Sequence, residues 1–156
     1  WTQNRCALFR RLWRALCFKM NYVIIKKSPS TEIQANLSIE DQAIPDEVKN
    51  HLVNNKTRHI TVAEHNGILW IASKLKVKQI NLSNYREFEV CYMKPAKGSG
   101  FVAIQAWPIE KGQACAVILE FGTYTEQALA YAKQAAEELE LVLGYKLKLS
   151  YWGTDC

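Results

Sequence analysis

The side chains able to do chemistry are few and scattered along the 156 residues. His51, His59 and His65 are the only histidines, and none has the partner four residues away that a metal-binding helix uses. His65 adjoins Glu64 at an exposed hairpin tip, which lacks the walls a general acid–base pair needs. Glu87/Glu89 and Glu137/Glu138 are the closely spaced carboxylates that could suggest hydrolysis. Glu87 and Glu89 alternate with Phe88 and Val90, however, which places both on the wet face of one strand. No GxSxG or GxxxxGK occurs, and KGSGF at 97–101 has no helix after it to hold a phosphate. The sequence therefore assigns no catalytic residue, no metal and no cofactor, and the expectation is a non-enzymatic protein.

Five cysteines, Cys6, Cys17, Cys91, Cys115 and Cys156, form no CxxC pair. They read as free thiols in a reducing cytosol, with Cys91 and Cys115 acting as small hydrophobes in apolar strands. Among the five tryptophans, Trp70 and Trp107 stand out. Turned into an open barrel they would line an apolar ligand pocket; the competing account is core filling.

Charge is located before it is informative. All 15 carboxylates follow Met20, as do 15 of the 20 basic residues, so the body is formally neutral. That argues against nucleic-acid binding, which draws its affinity from many cations on phosphates. The remaining cations, Arg5, Arg10, Arg11, Arg14 and Lys19, share the first 20 residues with an apolar row of Leu8, Leu12, Leu16 and Met20 and an adjoining row of Phe9, Trp13 and Cys17. The spacing predicts a basic amphipathic helix. Such a helix suits an anionic membrane surface, and Arg10, Arg11, Arg14, Lys19, Phe9 and Trp13 are the candidate membrane-contact residues. Three other readings are a terminal helix docked on the body, the cytoplasmic flank of a transmembrane helix upstream, and a non-native leader. No run approaches the roughly 18 apolar residues of a spanning helix.

The elements that must position these residues follow from periodicity. Tyr22–Lys27 and Glu32–Glu40 alternate around a Ser-Pro-Ser turn and predict a hairpin. Pro45 followed by DEVKNHLVNN predicts a short helix ending near Asn55. Strands are expected over 58–65 and 68–73, joined by the Asn66-Gly67 hairpin signal, and over 76–82, 86–93, 101–109 and 114–121. Thr123 and Glu126 have capping-box spacing, Gly144 is a C-cap, and Leu129, Ala132, Ala136, Leu139 and Leu143 form the apolar face between them. KLKLSYW at 146–152 is a final strand or extended tail. The fold class is α+β: an antiparallel sheet or partly open barrel of about seven to eight strands, packed by a C-terminal amphipathic helix. The expected organisation is a basic segment over 1–20 and one domain over 21–156.

Two stretches, HITVAEHNGILWIASKLKVKQINLSNYREFEV at 59–90 and ILEFGTYTEQALAYAKQAAEELELVLG at 118–144, resemble bacterial pleckstrin-homology-like domains in their strand pairs and closing helix. The resemblance implies a binding or scaffolding module on the cytoplasmic side of a membrane. Phosphoinositide-binding members gather Lys and Arg at an early hairpin loop, where this chain has only Lys26 and Lys27, so that specificity is not implied. The strand after the helix and the helix at 45–54 also depart from the pattern, which keeps a general sheet-plus-helix fold as the alternative. The functional expectation is a membrane-proximal interaction module. The alternative is a small hydrophobic-ligand or lipid-binding domain with a pocket between sheet and helix. An unidentified protein partner and a homodimer through an exposed strand edge are the further partners expected.

Overall fold

A computed structural model of the chain describes residues 21–52 and 59–154. The predicted basic helix over 1–20 lies outside the described residues, as does any continuation of the first helix beyond Leu52. The strands are β1 Asn21–Lys26, β2 Leu37–Ser38, β3 His59–His65, β4 Ile68–Ser73, β5 Lys76–Asn81, β6 Tyr85–Lys94, β7 Phe101–Pro108, β8 Ala116–Glu120 and β9 Lys148–Thr154. Helix α1 is Asp46–Leu52 and α2 is Glu126–Leu143.

The strands form two sheets rather than a barrel. Sheet A has the order β1-β3-β4-β5-β2 and sheet B the order β8-β7-β6-β9. Their inner faces and α2 enclose one core that includes Val62, Leu69, Ile71, Phe88, Ile104, Leu119, Phe121 and Leu139. The described residues are thus α+β, as the pattern predicts.

Three expectations are corrected. The hairpin of 22–27 with 32–40 does not form: β1 pairs with β3, setting Val23 opposite Val62, and β2 pairs with β5. The chain leaves sheet A after β1 because Ser28–Thr31 closes a tight turn, in which the Ser28 amide donates to Thr31 Oγ1 at 3.0 Å. Glu32 then bridges Glu120 of sheet B before Leu37 returns to sheet A. The second correction concerns α2, whose N-cap is Thr125 and not Thr123: Thr125 is extended and its Oγ1 accepts from the Ala128 amide. Gly144 does cap the C-terminus, in the left-handed region at φ 83°. Finally, the sheet expected to be antiparallel is mixed: the last segment is a strand, one of the two forms expected of it, and it pairs with β6 in parallel. A return through α2 brings the chain back in the direction of β6, which a two-residue hairpin could not do.

Strand β4 is buried on both faces. Leu69 and Ile71 enter the main core, while Ile68, Trp70 and Ala72 point the other way, into a second cluster with Ile39, Ile44, Val48, Leu52 and Val77. The segment 37–52, α1 included, is therefore a lid over the outer face of sheet A. Among the described residues no helix is long and apolar enough to cross a membrane.

Candidate functional site: the outer face of sheet B

Alternation places Phe88, Val90, Val102, Ile104 and Ala106 on the inner face of sheet B. Glu87, Glu89, Cys91, Phe101, Ala103, Gln105 and Trp107 consequently share its outer face. The parallel register adds Lys148, Ser150 and Trp152 from β9, since Glu89 lies beside Lys148 and Cys91 beside Ser150. No described helix covers this face; α2 packs its buried residues into the inner core. Aromatic side chains cover part of it instead. Phe101 and Trp152 meet edge to face with centroids 5.5 Å apart, and Trp152 and Trp107 lie 6.2 Å apart.

Beneath the indoles sits Glu89, only 5% exposed. Its carboxylate accepts from Ser150 Oγ at 2.6 Å and from Gln105 Nε2 at 3.0 Å. Burial alone would push this carboxyl up, but hydrogen bonds from Ser150, Gln105, Trp107 and Trp152 outweigh it and hold the group below the usual Glu range. The sequence reading of Glu87 and Glu89 as a solvated pair is corrected on this point. Glu87 does reach solvent and pairs with Lys148 Nζ at 2.6 Å, whereas Glu89 is roofed by residues distant in sequence.

Next to Cys91, whose thiol donates to the Ala103 carbonyl at 3.5 Å, burial pushes the pKa up to about 12. Cys115, half-buried, is also shifted upward by burial. Both are free thiols, and burial favours the thiol over the nucleophilic thiolate at each. Beside this cluster, along β7 and β8, runs an open groove of about 500 Å³ lined by Phe101, Ala103, Gln105, Val117, Glu120 and Thr123. Glu120 accepts from Gln34 Nε2 at 2.7 Å, which fixes one polar wall.

The sequence-derived site residues are dispersed. Trp107 is on this outer face and half-buried. Trp70 is 1% exposed in the cluster beneath the 37–52 lid, its Nε1 without a hydrogen-bond partner. The two indoles face away from the shared core on different sheets, so the pocket expected between them does not form. The core between the sheets and α2 is filled by side chains such as Phe88, Phe121 and Leu139, and the groove that remains between β1 and α2, about 230 Å³ beside Ile24, Tyr131 and Glu138, contains neither indole. Arg10, Arg11, Arg14, Lys19, Phe9 and Trp13 lie outside the described residues. His51 packs at a tilt against Tyr22 with centroids 4.4 Å apart, and His65, expected exposed, is half-buried with Nε2 3.6 Å from Glu47 of α1. Among the described residues no three metal-ligating side chains converge.

Sequence reasoning missed Glu89, Gln105, Ser150 and Trp152 as one cluster. The available signal was that each occupies the same parity as Trp107 on its own strand. The register joining β9 to β6 was not readable. No family model, curated protein or solved structure matches this chain.

Proposed function

We propose that this chain is a non-enzymatic binding module that holds an uncharged apolar ligand, such as a lipid tail, against the outer face of sheet B. The observation that carries the reading is the contrast between two sheet faces. The outer face of sheet A is closed by 37–52, while that of sheet B keeps a groove of about 500 Å³ beside two partly exposed indoles. Apolar walls from Phe101, Ala103 and Val117 would take the body of a ligand, and Gln105, Glu120 and Thr123 would orient it. Its chemistry is that of binding. The buried carboxylate is held by four side-chain donors, its neighbouring thiols are shifted upward by burial, and the histidines, His51 on α1 and His59 and His65 at opposite ends of β3, lie away from this face.

Nile red, an uncharged apolar dye, tests the reading. A saturable rise in dye emission, with quenching of tryptophan that weakens in Trp107→Phe and dye binding lost in Val117→Asp, is expected. Non-saturating dye emission would overturn it.

A second reading is that the module works beside a membrane. It rests on the five cations and absent carboxylates of residues 1–20. Flotation with anionic liposomes should then be salt-sensitive for the full chain and absent for residues 21–156. Equal behaviour of the two would remove this reading and leave the groove untouched. The pleckstrin-homology-like assignment belongs with these proposals. What supports it is the element order, a strand meander in each sheet closed by α2, once 27–58 and β9 are set aside as additions.

A further inference from the structure

The edge strand β9 carries a feature that neither reading uses. It is the outermost strand of sheet B, hydrogen-bonded on one side to β6 and, among the described residues, to nothing on the other. Tyr145, Leu149, Tyr151 and Trp152, on β9 or its lead-in, are 44%, 53%, 52% and 42% exposed. Unpaired edges are normally blunted by proline, by charge or by a bulge. β9 contains no proline, and its one cation, Lys148, is drawn onto the sheet face by Glu87 rather than left to repel an approaching strand. The bulge comes late: the register with β6 breaks after Tyr151, and Gly153 turns to φ 91°. The stretch in regular register with β6 is therefore Lys148–Tyr151, which contains Ser150.

We propose that this edge binds a second copy of the same chain, β9 against β9 in antiparallel pairing, with the two-fold axis at Ser150. In that register the stretch is complementary to itself. With Ser150 opposite Ser150, Leu149 faces Tyr151 of the second copy on one face of the sheet, joining the exposed apolar side chains. On the other face Lys148 meets Trp152, a cation over an indole, and no like charges are opposed. Moving the axis to Tyr151 would instead set Leu149 against Gly153 and lose the apolar pair. The interface is isologous and closes with two copies, because each chain offers a single β9. Sheet B of one copy then continues into sheet B of the other, and their outer faces lie on the same side.

Sedimentation equilibrium on the full chain tests this. The expected mass is that of two chains for the natural sequence and of one chain for Leu149→Glu/Tyr151→Glu, which opposes carboxylates across the axis. Mixing that variant with Leu149→Lys/Tyr151→Lys should restore the two-chain mass, which a merely unfolded variant could not do. A single-chain mass for the natural sequence at every concentration, or a two-chain mass that survives the double Glu substitution, overturns the proposal. Should the variants fail to fold, hydrogen exchange on the natural chain decides. Protection of those Lys148–Trp152 amides that point away from β6 must fall on dilution, and protection of them that is independent of concentration would also overturn it.

Discussion

Glu89 is the residue on which the outer face of sheet B turns, because four side-chain donors converge on one buried carboxylate. Removing the charge while keeping the shape, Glu89→Gln, leaves part of that donor set facing an amide NH₂. The expected cost is about 1–3 kcal/mol by urea unfolding at neutral pH. The pH dependence has a definite sign. A carboxyl lowered on folding contributes stability above the ordinary Glu range, and that stability is lost as pH falls through the folded value. The gap between natural chain and Glu89→Gln should therefore narrow in acid; a gap constant with pH would show that the carboxylate is not held as its partners imply. Gly100 makes a second residue-scale case. It sits at φ 63°, and a Cβ there would overlap the Met93 carbonyl oxygen. Gly100→Ala should cost at least about 1–3 kcal/mol in the same measurement. The alternation that puts Glu87 and Glu89 on one face was legible in the sequence. The burial of only one of them was not, because it depends on Trp107 and Trp152 arriving from two other strands.

At the scale of elements, the lid formed by 37–52 has an energetic weight that follows from Leu52 and Val48, both fully buried against Trp70. Leu52→Ala should destabilise the chain by about 2–5 kcal/mol, the range for truncating a buried leucine. Because Trp70 lies in a dry environment with its N–H unpaired, its emission should be blue-shifted in the folded chain, and Trp70→Phe should remove that blue component selectively. A red-shifted spectrum for the natural chain would mean that the lid is open. The cap of α2 separates two neighbouring threonines in the same way: Thr125→Ala should cost about 1 kcal/mol, and Thr123→Ala should fall within about 0.5 kcal/mol of zero. Most element boundaries were readable from period and turn residues, above all the Asn66-Gly67 hairpin, where Asn66 and Gly67 both adopt positive φ. The pairing of β1 with β3 was hidden, because the segment between them makes its contacts with β8 and β5, and local alternation does not record such distant partners.

For the whole molecule, the question is whether two apolar clusters make two independently melting units. β4 argues that they do not. Its odd and even residues are divided between the clusters, so the strand cannot leave one without dissolving the other. β3 and β5 flank it on either side and tie it to β1 and β2. Opening the lid alone would detach β2 from β5 and expose Ile68, Trp70, Ala72 and Val77 to water while β1, β3, β4 and β5 stayed paired. At roughly 25 cal/mol per Å² of apolar area, uncovering four buried or half-buried side chains costs several kcal/mol, a large share of the about 5–15 kcal/mol that holds a domain together. The lid and the main core should therefore unfold together. Urea titrations followed by the blue component of Trp70 emission and by far-ultraviolet circular dichroism are expected to superimpose. An earlier transition in the Trp70 signal would show instead that 37–52 is a separable layer, and the outer face of sheet A would then become a second surface open to ligands.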